Sequence, residues 1–217
     1  MPRFQAIVFD MDGLMVDSEP VARRGWEIVL AAYGRELSQE TYERMVGLRL
    51  EESAAIVANT YNLSTAPGEL AAIKEKEMAR LLAEGLPVMP GLHGLVDHLN
   101  KQGIPWAVAT SSRRRYALDV LAQLGLTDTC RAVAAGNEVA QGKPAPDIYL
   151  LAAERLNIAP EQCLAFEDSV PGGKAAIAAG MTLAAVPNGH TTTADFPFAH
   201  YILDSLNDAI PVVMRKT

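Results

Sequence analysis

Two carboxylates one residue apart, Asp10 and Asp12, follow an apolar run over residues 4–9 and lead into Gly13. A second acidic pair, Glu167–Asp168, closes the apolar run at residues 163–166, and Thr110 closes another at 105–109. Acids crowded at the end of a buried segment are costly unless a positive charge lies among them. Hard oxygen ligands in a site that keeps some water suit Mg²⁺. Residues i and i+2 of an extended segment point the same way, so Asp10 and Asp12 would address one site.

Convergence of these groups depends on the elements that carry them. Short apolar runs flanked by polar residues predict strands buried on both faces, as in a parallel sheet. The carboxyl ends of such strands lie along one edge, where open α/β sheets place ligands. Strands are expected at residues 4–9, 105–109, 132–135, 163–166, 182–186 and 201–203, alternating with helices at 92–101, 113–124, 147–156 and 172–179. Between Val21 and Glu84 the periodicity is helical throughout. Trp26, Val29, Leu30 and Tyr33 line one face of a first helix ending at Gly34, and further helices are expected at 39–46, 51–61 and 67–82. Asp17–Ser18–Glu19–Pro20 reads as a helix start with a capping side chain, an early acid and a first-turn proline. The expected architecture is α/β. A Rossmann-like parallel-sheet core is formed by residues 1–15 and 88–217, and an all-helical cap domain, 16–87, is inserted after the first strand. The crossings at 14–18 and 85–91 are candidate hinges.

Composition narrows the function. Of 217 residues, 49% are hydrophobic and 21% charged, as in a soluble globular protein with a real core. The net charge of −7 argues against nucleic acid as a partner. Cys130 and Cys163 have no paired spacing and read as small apolar residues in a reducing compartment. With no visible signal peptide and no apolar run long enough to cross a bilayer, the expectation is a cytoplasmic protein with no membrane partner. Nothing demands a dimer, so a monomer is expected. A serine-hydrolase elbow and a nucleotide phosphate loop are both missing, and Gly142–Lys143 is followed by proline rather than a helix-start amide. His93, His98, His190 and His200 lack zinc-ligand spacing. Asn188–Gly189–His190 reads as a turn with no chemistry assigned.

Taken in order, Asp10–Met11–Asp12–Gly13, Thr110, Gly142–Lys143–Pro144 and Glu167–Asp168 resemble the four motifs of the haloacid dehalogenase-like hydrolases. The likeness covers essentially the whole chain and is to the branch with a helical cap, which includes β-phosphoglucomutases and sugar-phosphate phosphatases. It implies Asp10 as the nucleophile that forms an aspartyl-phosphate, and Asp12 as the acid that protonates the leaving alkoxide and then the base for water. It implies Mg²⁺ held by Asp10, the Asp12 backbone carbonyl, Glu167 and Asp168. Thr110 and the Ser111 amide would hold the phosphoryl oxygens, and Lys143 would cancel charge.

The resemblance also implies a small phosphorylated metabolite as partner. Arg49, ahead of a cap helix, and Ser112 and Arg113, at the start of the Arg113–Arg114–Arg115 run, are the candidate substrate contacts. A helix start is a natural anion site, and three arginines there oppose the helix dipole. Where the mutases carry a cap histidine this chain has Ala22, and where they carry a cap arginine it has Leu50. Both departures favour hydrolysis over mutase-type phosphoryl transfer. Asp12 suits an alkoxide leaving group rather than a halide, and a non-catalytic binding protein would be expected to lose one of the acids.

Overall fold

The computed structural model describes residues 4–83 and 85–215. Glu84, the expected end of the helical stretch, and the outermost residues of the expected core, 1–3 and 216–217, lie outside the described residues. Strand β1 (Ala6–Phe9) is followed by four helices: α1 (Glu19–Ala31), α2 (Gln39–Glu43), α3 (Leu50–Thr60) and α4 (Pro67–Leu82). The chain continues through α5 (Leu92–Gln102), β2 (Trp106–Thr110), α6 (Arg114–Gln123), β3 (Ala132–Ala135) and α7 (Asp147–Leu156). It closes with β4 (Cys163–Glu167), α8 (Val170–Ala178), β5 (Thr182–Ala185), β6 (Tyr201–Ile202) and α9 (Ile210–Val213).

The strands form one sheet in the order β3-β2-β1-β4-β5-β6, with every neighbouring pair parallel. Their residues alternate between the two faces. Ile7, Phe9, Trp106, Val108, Leu164 and Phe166 enter one apolar cluster, with the Phe9 ring stacked 5.5 Å from Phe166. Ala6, Val8, Ala107, Ala109, Cys163 and Ala165 enter the other, where small side chains let α7 and α8 approach closely. Both faces are covered, which is why the strands read as unbroken apolar runs.

Register fixes where the polar ends emerge. Phe9 lies opposite Val108 on one side and Phe166 on the other. Asp10, Thr110 and Glu167 therefore leave the sheet along one edge, at the point where successive connections depart to opposite sides.

Helices α1–α4 pack largely on one another, burying Trp26, Val29, Leu30, Tyr42, Val57 and Leu70 in a cluster of their own. The expected crossings run side by side: Val16 bridges Val88 in antiparallel fashion, and the Met89 amide donates to the Met15 carbonyl at 3.0 Å. The expected cap at Ser18 is a correction. Its backbone is already helical (φ −86°, ψ −8°), and its side chain makes no capping bond. The first helix proper ends at Ala31, three residues before Gly34, and the second ends at Glu43 rather than 46. Among the described residues no helix is long and apolar enough to cross a membrane.

Candidate active site

At the sheet edge, Asp10, Glu167 and Asp168 each place a carboxylate oxygen within 4.8 Å of the others, and all three residues are buried. Lys143 reaches them from the loop before α7. Its Nζ donates to Asp10 Oδ1 and to Glu167 Oε1, each at 2.5 Å. A loop lysine is ordinarily exposed, whereas this one is only 4% exposed. Burial alone would lower the pKa of its ammonium group. The charges of Asp10 and Glu167 outweigh burial and hold it above the usual lysine range.

Burial also pushes Asp10 up to about 8; Lys143 opposes this, and Glu167 and Asp12 add to it. Asp168 is raised well above the carboxylate range, first by burial and then by Asp10 and Glu167. Three acids thus crowd around one ammonium group, and burial with their mutual repulsion favours the protonated forms of Asp10 and Asp168.

Two local devices hold Asp168. Gly13 has φ +86°, and a Cβ there would overlap Asp168 Oδ2, so the turn after Asp12 must be glycine. The Asn188 side-chain amide donates to Asp168 Oδ2 at 2.7 Å and to the Gly13 carbonyl at 3.0 Å. Asp168 Oδ1 is buried with no hydrogen-bond partner. An orphaned carboxylate oxygen among buried acids fits a hard divalent cation.

Glu167 is differently placed. Oε1 accepts from Lys143 and Tyr149, while Oε2 accepts from the amides of Asp168 and Ser169 and from Ser169 Oγ. A carboxylate offers about four acceptor sites. These bonds let Glu167 fix Lys143, while its carboxylate stays within the group it forms with Asp10 and Asp168.

Asp12 lies beside this group. Its Oδ1 accepts from Tyr116 Oη at 2.6 Å, and its Oδ2 accepts from Ser112 Oγ at 2.8 Å and Thr110 Oγ1 at 3.3 Å. Three donors on about four sites leave room for one more partner. Ser111 Oγ donates to the Gly47 carbonyl at 3.0 Å, joining the Thr110 loop to the segment between α2 and α3.

A cleft of about 210 Å³ lies between this edge and helices α1–α4, lined by Asp10, Asp12, Thr110, Ser111, Lys143 and Asp168 below. Ser112 and Arg113 also line it. Arg113 is bonded across the cleft to Glu51 at 2.7 Å and Glu75 at 2.5 Å. Its neighbours turn away: Arg114 donates to the Val133 carbonyl and Arg115 to Asp119. Arg49 is absent from the cleft lining. Its guanidinium is paired with Glu52 and bonded to backbone carbonyls of residues 139 and 140.

Tyr116, Tyr149 and Lys74 went unnoticed in the sequence, and Asn188 was read only as part of a turn. Asn188 is the clearest miss, because it follows the end of β5 just as the acids follow β1 and β4. The carboxyl-edge rule would have found it. Lys74 shares the helical stripe of Leu70 and Ala71, a spacing that marks a buried face. Burial lowers its pKa to about 7, with the charge of Asp12 acting in the opposite direction. His190, assigned no role, pairs with Glu19 at the cleft margin.

Comparison with known proteins adds the following. A family described as hydrolase, haloacid dehalogenase-like hydrolase, matches residues 4–180. The chain is 33% identical over 177 residues to a phosphorylated carbohydrates phosphatase of Thermotoga maritima, covering 82% of each chain. It is 34% identical over 179 residues to a fructose-1-phosphate phosphatase of Escherichia coli, covering 82% of this chain and 94% of the other. A crystal structure of β-phosphoglucomutase from Clostridium difficile superposes with a TM-score of 0.86 at 25% identity, covering 94% of this chain and 92% of that one.

Proposed function

The chain belongs to the haloacid dehalogenase-like hydrolases, and on that premise we propose that it hydrolyses small phosphomonoesters, sugar phosphates or close analogues, through an aspartyl-phosphate with Mg²⁺ as cofactor. The observation that carries this reading is the meeting of Asp10, Lys143, Glu167 and Asp168 at one edge of the sheet, beneath the cleft. The names of the Thermotoga and Escherichia relatives, both phosphatases of phosphorylated sugars, support the substrate class.

In the first step an Asp10 carboxylate oxygen bonds to phosphorus while the bond from phosphorus to the alcohol oxygen breaks. Asp12 gives the departing alkoxide its proton. Water then attacks phosphorus, Asp12 takes up the proton released, and the bond to Asp10 breaks to give inorganic phosphate. Thr110 Oγ1 and the Ser111 amide hold the phosphoryl oxygens, with the Lys143 ammonium beside them. Asp10, Glu167, Asp168 and the Asp12 carbonyl are the proposed Mg²⁺ ligands. Glu167 adds charge and holds Lys143. When bound, the ion supplies charge cancellation for the attack of an anion on an anion. Ala22 lines the cleft without any acid or base on its side chain, which supports water rather than a second sugar as acceptor.

The test is phosphate release from a panel of phosphomonoesters with Mg²⁺ and with EDTA. Release that depends on the metal is expected. An inert panel would favour a binding protein, and glucose 6-phosphate formed from β-glucose 1-phosphate with a bisphosphate activator would favour a mutase.

A further inference from the structure

Arg49 belongs to the helical insert, yet its side chain ends on the core. It stands at the N-cap of α3 in an extended conformation. Glu52 holds it there: the Arg49 amide donates to Oε2 at 3.0 Å, while Nε and Nη2 donate to Oε1 at 3.0 and 2.7 Å. The remaining arm, Nη1, donates to the carbonyl oxygens of Ala140 at 3.3 Å and Val139 at 3.5 Å. The stem of the side chain lies flat on Gly142. A Cβ on that glycine would stand 2.7 Å from Arg49 Nε and 3.0 Å from Cδ.

The next residue is Lys143, whose Nζ spans Asp10 and Glu167. We infer that Arg49 is a positioning residue: by gripping residues 139–142 from the insert, it sets the placement of Lys143, so that the amine is fully placed only when the insert lies over the cleft. The inference rests on the proposed phosphatase reading. Both arms of the guanidinium are occupied, and Arg49 lies outside the cleft lining, so it acts through the loop rather than on substrate.

A residue that touches the leaving alcohol affects some substrates and spares others. One that sets Lys143 affects transfer of the phosphoryl group itself, whatever alcohol it leaves. Two variants separate these cases. Arg49→Gln removes the charged grip. Gly142→Ala keeps every charge but lifts the arginine stem from the loop. Each is assayed with two unlike phosphomonoesters, glycerol 3-phosphate and phenyl phosphate, and amide hydrogen exchange is followed over residues 139–143.

The expected result for both variants is a fall in kcat of about tenfold, the same for the two substrates, with KM within about twofold. Faster exchange over 139–143 should accompany it in Arg49→Gln. A loss confined to one substrate, a loss carried by KM, or an unchanged kcat in both variants would overturn the inference. If the unmodified protein turns over neither ester, the phosphatase reading is what fails. Exchange over 139–143 then decides the coupling alone, with unchanged rates in Arg49→Gln counting against it.

Discussion

The floor of the cleft and its roof are built from opposite chemistry. On the floor, Asp10, Asp12, Thr110, Lys143, Glu167 and Asp168 come from separate segments of the core and are tied together by charge and hydrogen bonds. The roof presents Trp26, Met45, Leu48, Leu50 and Met78, with the amine of Lys74 buried among them. A floor of interlocked ionic groups has one productive arrangement, because each partner fixes the next. Apolar side chains on helices that pack mainly on one another can be exchanged without disturbing it. In the proposed reaction the chemistry is thereby separated from the apolar lining that faces the substrate, with Arg49 as the tie between the two.

The largest expected effect breaks the floor at its centre. Asp10→Asn keeps the shape and removes the nucleophile, so turnover should fall by about 10⁴-fold or more, read as phosphate release. A loss of less than about tenfold would move the chemistry elsewhere. Asp12→Asn should lower kcat by about 10²- to 10⁴-fold with KM little changed, because proton transfer is made in the transition state. A matching rise in KM would make Asp12 a binding group instead.

A milder test concerns the crowding of buried acids on the floor. Burial raises Asp10 from its ordinary value to about 8, so the metal-free fold favours the protonated acid. That contribution to stability is present below the unfolded pKa near 4 and is lost as pH rises through 8. Thermal melting of the metal-free protein should therefore fall between pH 5 and pH 8.5. Added Mg²⁺ should raise Tm more at the upper end than at the lower. An equal shift at both would mean that the acids do not hold the ion.

The smallest effect is expected on the roof. Met78→Gln should change kcat/KM by less than about tenfold and unequally among substrates, as changes in an apolar pocket do. A uniform collapse of turnover would erase the distinction between floor and roof.

Much of the floor was legible in the sequence because a doubly buried strand announces itself as an apolar run, and the residue after it must lie on the sheet edge. Thus β1, β2 and β4 delivered Asp10, Thr110 and Glu167 where expected. Lys143 was harder, since a loop lysine carries no periodicity and only the order of motifs marked it. Ser18 failed as a cap because capping depends on backbone angles that residue type does not set. The roof was least legible. Which way Arg49 and Arg113 turn depends on how the insert meets the core, and Lys74 interrupts an apolar stripe that otherwise signals only packing.

The most direct test of the central claim is to trap the covalent intermediate. Enzyme turning over a good substrate with Mg²⁺ would be quenched in acid, reduced with borohydride and digested, and the peptide containing residue 10 weighed. Conversion of Asp10 to homoserine, dependent on both substrate and metal, is the predicted result. Phosphate release with residue 10 unmodified, or with another acid reduced in its place, would contradict it.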